Sequence, residues 1–141
     1  MFITIEDLYS KIRKHDLEQI TGGDEIIAEH AISSAVAEIM GYLERYDTDR
    51  IFSAKGEDRE GLLVSFAVDI AVYEIVAIAR PNTDLTDRRE RRNRAIDYLK
   101  QVRDDNISTP WPLKEGDGDE DPEAYSVAFG SYPKRRNSLL Q

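Results

Sequence analysis

Cysteine is absent from the chain, which excludes a disulfide framework, a thiolate zinc site and a cysteine nucleophile. Histidine is nearly absent too, with only His15 and His30. Carboxylate-bridged metal bundles place Glu and His three residues apart so that both ligands share a helix face. Here Glu29 directly precedes His30 and Glu25 lies five residues before it, so neither pair fits and both histidines are expected at the surface or partly buried. Glycine forms no phosphate-binding loop, since "TGGD" is too short for one, and no serine triad is recognisable. The opening "MFITIEDLYSKIRKH" carries acids early and has no apolar run of signal-peptide length, so no secretion signal is expected. Positive charge is in deficit: 19 Lys and Arg face 28 Asp and Glu, for a net charge of −9. The field of such a chain repels polyanions, which argues against nonspecific binding to DNA or to anionic lipid.

What is present suits one helical domain. Hydrophobic residues make up 40% of the chain, enough for a core but slightly under the usual share, so part of the chain is expected to lie outside it. Thr4 with Glu6 and Asp7 marks a helix start, and Ile5, Leu8, Tyr9 and Ile12 extend the helical spacing over about residues 5–14. "DLEQITGGD" reads as a turn, with Leu17 and Ile20 entering the core. Asp24 caps a second helix, to about residue 46, whose stripe is Ala28, Ala31, Ile32, Ala35, Ile39, Leu43 and Tyr46. "YDTDRIFSAKGED" is a connector anchored by Ile51 and Phe52. Residues 58–80 hold the most apolar stretch, long enough to raise the transmembrane question. Asp69 and Glu74 within it favour the buried centre of a bundle instead.

Pro81 ends that stretch, and a fourth helix starts at Asp84 or Thr86 and runs to about residue 104, with Ala95, Ile96, Leu99 and Val102 as its stripe. The expected fold is therefore all-α: a small bundle of about four helices around the central apolar helix 58–80. Domain 1–104 is followed by an extended acidic and aromatic C-terminal arm, 105–141. Trp111, Leu113, Tyr125, Val127, Phe129 and Tyr132 give the arm apolar anchors. Its "GDGDEDPE" lacks the flanking helices of a calcium loop and reads as a solvated linker.

Three side-chain groups invite a functional reading. Asp69, in the most buried helix, needs a cation or several donors, and the arginine-rich start of the fourth helix is the expected supplier. Glu25 and Glu29 share a helix face, as metal-binding carboxylates of helical nucleotide hydrolases must. A second acidic pair is wanting, because Asp69 and Glu74 point about 140° apart at 100° per residue. The third group is "DLTDRRERRNRAIDYL", with five arginines in seven positions: Arg88, Arg89, Arg91, Arg92 and Arg94. Cations there oppose the helix dipole. Pairing with Asp87, Glu90 or Asp97 on a solvated face is the plainest account. Nucleic acid would want more basic residues and stacking aromatics. Carboxylates of another protein subunit fit better, since arginine favours bidentate contacts with them.

Several segments, in order and spacing, carry a family resemblance: "MFITIEDL", "LEQITGGD", "AISSAVAEIMGYLERYD" followed by "IF", "DIAVYEIV", "RAIDYLKQV", "WPL" and "FGSYPKRRN". The pattern resembles the head–tail connector, or head-completion, proteins of tailed phages and prophages. That resemblance implies a structural subunit that docks beneath the portal protein as a ring of identical subunits, a dodecamer in the virion. The ring extends the DNA channel and presents a platform to a neck or tail completion protein. It further implies residence in the virion neck, and in the host cytoplasm during assembly, with no membrane partner and no specific DNA binding. No catalytic residue, cofactor or metal is expected. The expected interface comprises the five arginines together with Trp111, and Phe129, Tyr132, Lys134, Arg135 and Arg136 of the arm. Two readings from other classes compete: a metal-dependent helical hydrolase using Glu25 and Glu29, and a regulatory nucleic-acid binder using Arg88 to Arg94.

Overall fold

A computed structural model describes residues 1–80 and 82–114. Six α-helices form among them: α1 (Ile5–Leu8), α2 (Lys14–Thr21), α3 (Glu25–Tyr42), α4 (Thr48–Ser53), α5 (Gly61–Ala79) and α6 (Thr86–Arg103). The described residues contain no strand, and the protein is an all-α bundle. All six helices belong to one compact unit, Met1–Trp111.

The N-terminal helix is shorter than its periodicity suggests. Thr4 and Asp7 make a reciprocal capping box, in which the Asp7 carboxylate accepts from the Thr4 N–H at 2.7 Å. The helix ends at Leu8, and the backbone then turns before α2 begins. Residues 14–21 are helical, including 16–21 of the stretch expected as a turn; Leu17 and Thr21 are their buried positions. The expected stop is real: Gly22 and Gly23 have φ of 65° and 82°, a left-handed region that costs glycine nothing. Asp24 then caps α3, accepting from the Ile26 N–H at 3.0 Å.

The core is built on α3, α5 and α6, which pack mutually. Contacts fix their directions. Arg92 of α6 reaches Glu38 of α3, while Arg45, just beyond α3, reaches the Val102 carbonyl near the end of α6. These two helices run parallel. Tyr98 of α6 meets Phe66 of α5, and Arg92 lies over Tyr73, so α5 runs antiparallel to both. The α3 stripe is buried at every expected position, and so is that of α6. α5 buries eight residues, among them Leu63, Ala67, Ile70 and Ile75. By length and composition α5 could cross a membrane, but α3, α6 and the first two helices pack against it. Its many β-branched residues are middling helix formers, so burial rather than propensity holds it helical. α5 stops at Ala79; Arg80 leaves helical geometry with φ −136° and ψ 67°, as expected of a residue that precedes proline.

The connector contains α4, whose Ile51 and Phe52 are buried; Phe52 packs edge-on against Phe2, with centroids 4.8 Å apart. α6 ends in a Schellman turn: the Asn106 N–H donates to the Gln101 carbonyl and the Asp105 N–H to the Val102 carbonyl. Asp105 takes the left-handed position with φ 68°. Ile107 and Trp111 pack on the core beyond this turn. The compact unit therefore extends past residue 104, the boundary expected from loss of helical period, because apolar anchors can hold an irregular segment.

Candidate functional site

The five arginines separate into two sets. Arg88 and Arg92 are half-buried and face the chain itself. Arg88 donates from Nη1 to the Lys11 carbonyl at 3.2 Å. Arg92 donates to Glu38 at 3.0 Å, and its guanidinium lies 5.8 Å from the centre of the Tyr73 ring. Arg89, Arg91 and Arg94 are exposed and make no ion pair among the described residues.

Asp69 is 11% exposed at its side chain, and its cation is Lys11, whose Nζ lies 2.9 Å from Oδ1. The same ammonium donates to the Ser65 hydroxyl at 3.3 Å. This corrects the expectation that the arginines of α6 neutralise Asp69. The reason is the early end of α1. Once the helix stops at Leu8, Lys11 lies across α5, where Ser65 and Asp69 share a face one turn apart. Arg88 then holds Lys11 by its backbone instead of reaching the carboxylate.

Lys11, Asp84, Asp87, Arg88 and Arg91 line an open, polar recess of about 320 Å³. Asp84 is not free within it. Its Oδ1 accepts from the Thr86 hydroxyl at 2.6 Å and from the Thr86 N–H at 3.0 Å. The Thr86 hydroxyl, then its N–H, and then the charge of Arg89 hold the Asp84 pKa below its ordinary value.

A second charged assembly had no signature in the sequence. Arg59 donates from Nη1 to Asp7 Oδ2 at 2.6 Å and from Nη2 to Oδ1 at 3.3 Å. It also donates to the carbonyls of Phe2 at 3.0 Å and Gly56 at 2.8 Å. One guanidinium thus ties the chain start, α1 and the turn before α5 together. Burial alone would raise the Asp7 pKa, but the Arg59 hydrogen bond, the Thr4 N–H and the Arg59 charge together lower it.

That shift has a sign. A carboxyl with a lowered folded pKa contributes stability in full above its unfolded pKa of about 3.9, and loses it as pH falls through the folded value. Asp7→Asn is therefore expected to flatten the acid limb of stability against pH below about pH 4. Urea midpoints measured across that range test it. Superimposable wild-type and Asp7→Asn profiles would refute the linkage.

The histidines and the acidic pair of α3 are plainly placed. His15, His30, Glu25 and Glu29 are all exposed. Among the described residues no three His, Asp or Glu side chains gather where a metal ion could sit, and Asp69 is already occupied by Lys11. Trp111, expected at a subunit interface, is 5% exposed and packs edge-on against Tyr46 of its own chain, with centroids 5.7 Å apart. Thr109 completes that contact through the Tyr46 hydroxyl. Phe129, Tyr132, Lys134, Arg135 and Arg136 lie outside the described residues, as does the acidic run before them.

A family model described as "Bacteriophage Mu, Gp36" matches residues 2–128. The chain belongs to that family. Neither the curated proteins nor the solved structures gave a match. Membership in the Gp36 family makes this a phage protein, in agreement with the coarser part of the sequence resemblance. For a Gp36 family member the useful distinction is between charges already consumed by folding and charges left over. Lys11, Arg59 and Arg92 are consumed; Arg89, Arg91 and Arg94 remain on the surface in the first half of α6.

Proposed function

We propose that this Gp36 family protein is a structural subunit of the phage head–tail junction, assembling as a ring beneath the portal and offering a platform to the neck or tail. The observation that carries the reading is the exposure of Arg89, Arg91 and Arg94 on a phage-family chain of net charge −9. A chain with excess carboxylates that keeps three cations of one helix outward carries both halves of an electrostatic contact. Complementary surfaces on one chain make head-to-tail contacts, and these close into rings when the rotation permits. The acid excess suits a DNA conduit as well. A wall that neutralises few phosphates releases few counterions and lets the duplex slide without sticking. No catalytic group is needed for this role, and the cytoplasm of the host is where the subunit would meet its partners before joining the virion.

The test is light scattering behind size exclusion, across protein concentration and at low and high salt. The expected result is a discrete large oligomer at low salt that dissociates as salt rises, because exposed ion pairs are screened beyond about 8–10 Å at physiological ionic strength. A monomer under every condition would defeat the self-assembling ring.

A further inference from the structure

Thr21 is the one buried polar side chain among the described residues. Its hydroxyl donates to the Leu17 carbonyl at 3.0 Å. That bond spends its only proton and leaves the oxygen as an acceptor. Thr21 stands in the wall of a recess of about 70 Å³ between α1, α2 and the start of α3. At about 10–15 Å³ for a single water, such a space suits the head group of a side chain. Tyr9, Leu17 and Ala28 give the recess an apolar side, and the exposed Glu18 and Glu25 form its rim.

The polar groups of this recess call for a donor. Both carboxylates are acceptors only, and neither makes an ion pair among the described residues. Of the lining side chains, only the Tyr9 hydroxyl has a proton left to give. α2 also ends here, with Glu18 and Thr21 in its last turn, and that turn holds no basic residue. The carbonyl end of a helix favours a cation. Neighbouring charges leave the rim negative. Lys14 lies one turn before Glu18 on α2, but Asp24 adjoins Glu25 and stays anionic while it caps α3. The group that fits has a positive charge, several N–H donors and an aliphatic stem for the apolar side, which describes arginine. A phosphate would meet carboxylates.

The same chain offers that arginine. In the first half of α6, Arg92 is spent on Glu38. Arg88, Arg91 and Arg94 are balanced by Asp84, Asp87 and Glu90, of which Asp87 and Glu90 stand one turn before Arg91 and Arg94. Arg89 is the surplus. It is exposed, and the positions one turn before and after it are Leu85, Thr86, Arg92 and Asn93. Asp84 feels its charge but makes no ion pair with it.

We infer that the recess lined by Tyr9, Glu18, Thr21 and Glu25 receives the Arg89 guanidinium of a second copy. The two surfaces differ, so the contact is head-to-tail, the kind that a ring requires. This inference rests on the ring reading above and names the contact between neighbours.

A charge exchange tests it in the full chain. Arg89→Glu reverses the inserted group, while Glu18→Lys combined with Glu25→Lys reverses the recess. All three positions are exposed and outside the internal ion pairs, and circular dichroism checks that each variant folds. Light scattering should show each variant alone losing the wild-type oligomer, and an equimolar mixture regaining it through alternating subunits. If either variant alone keeps the oligomer, the contact is wrong while the ring reading stands. If both lose it and the mixture stays monomeric, the pairing of these two surfaces is wrong. A wild-type chain that never self-associates overturns both. Thr21→Val reads the recess without reversing any charge. It removes the acceptor at nearly constant shape and should raise the dissociation constant of the oligomer about 2–10-fold; an unchanged constant would take the recess out of the interface.

Discussion

Leu99→Ala is expected to lower the free energy of unfolding by about 3 kcal/mol, within the usual 2–5 for a buried leucine. Leu99 is fully buried, and its position makes the loss heavier than its volume alone. α6 is written "TDRRERRNRAIDYLKQVR", and only Ala95, Ile96, Leu99 and Val102 of its eighteen residues are buried. Ala95 contributes little area, so three side chains hold most of the helix to α5 and α3. Its arginines add electrostatic strain at the N-terminal end, where cations oppose the helix dipole by a few tenths of a kcal/mol each. Urea denaturation followed by circular dichroism gives the magnitude. Hydrogen exchange adds the location: α6 amides should lose protection ahead of those of α3. A change below about 1 kcal/mol would mean that the cavity collapses or that α6 is held by something other than this stripe.

The second large effect concerns the only ion pair among the described residues that reaches α5. Lys11→Met is expected to cost about 2 kcal/mol, less than the 3–5 for breaking a fully buried pair, because the two side chains keep 26% and 11% of their exposure. Methionine preserves the aliphatic stem, so the loss comes from Asp69 left without its ammonium partner. The double variant Lys11→Met with Asp69→Leu should recover most of that loss, since replacing both partners by apolar groups is often neutral. A double-mutant cycle in urea measures the coupling. Additive single effects would show that the Lys11 side chain acts through its packing and not through Asp69.

Those two sites mark where sequence reasoning succeeds and where it stops. The stripes of α3 and α6 are legible because each apolar residue reports its own face through a local period. Thr4 and Asp24 are legible as caps because the capping chemistry lies within three residues. α2 was lost to the Gly22-Gly23 pair beside it; with only Leu17 and Thr21 buried, its stripe is too sparse to outweigh that breaker. The partner of Asp69 was misassigned for a different reason. Lys11 lies 58 residues away in sequence, and its approach depends on α1 ending four residues earlier than its apolar spacing suggests. Arg59 was illegible for the same cause: a long cation between two acids reads as surface, and nothing local says that it bonds Asp7 and Phe2 more than 50 residues back. At the candidate site, the sequence identified the arginines as a group but not their division. Which of them fold inward depends on the register of α6 against α3 and α5, and that is set by the core.

The Tyr46–Trp111 contact has an optical consequence. Trp111 is the chain's single tryptophan, and it is buried at the last residue of the helical unit. Intrinsic tryptophan emission therefore carries no average over the molecule; it is a one-site signal from the seam where Ile107, Thr109 and Trp111 lie against the core. The aromatic seam comes with its own dye, and an event that lifts this segment while the six helices persist would be visible in fluorescence and silent in far-ultraviolet dichroism.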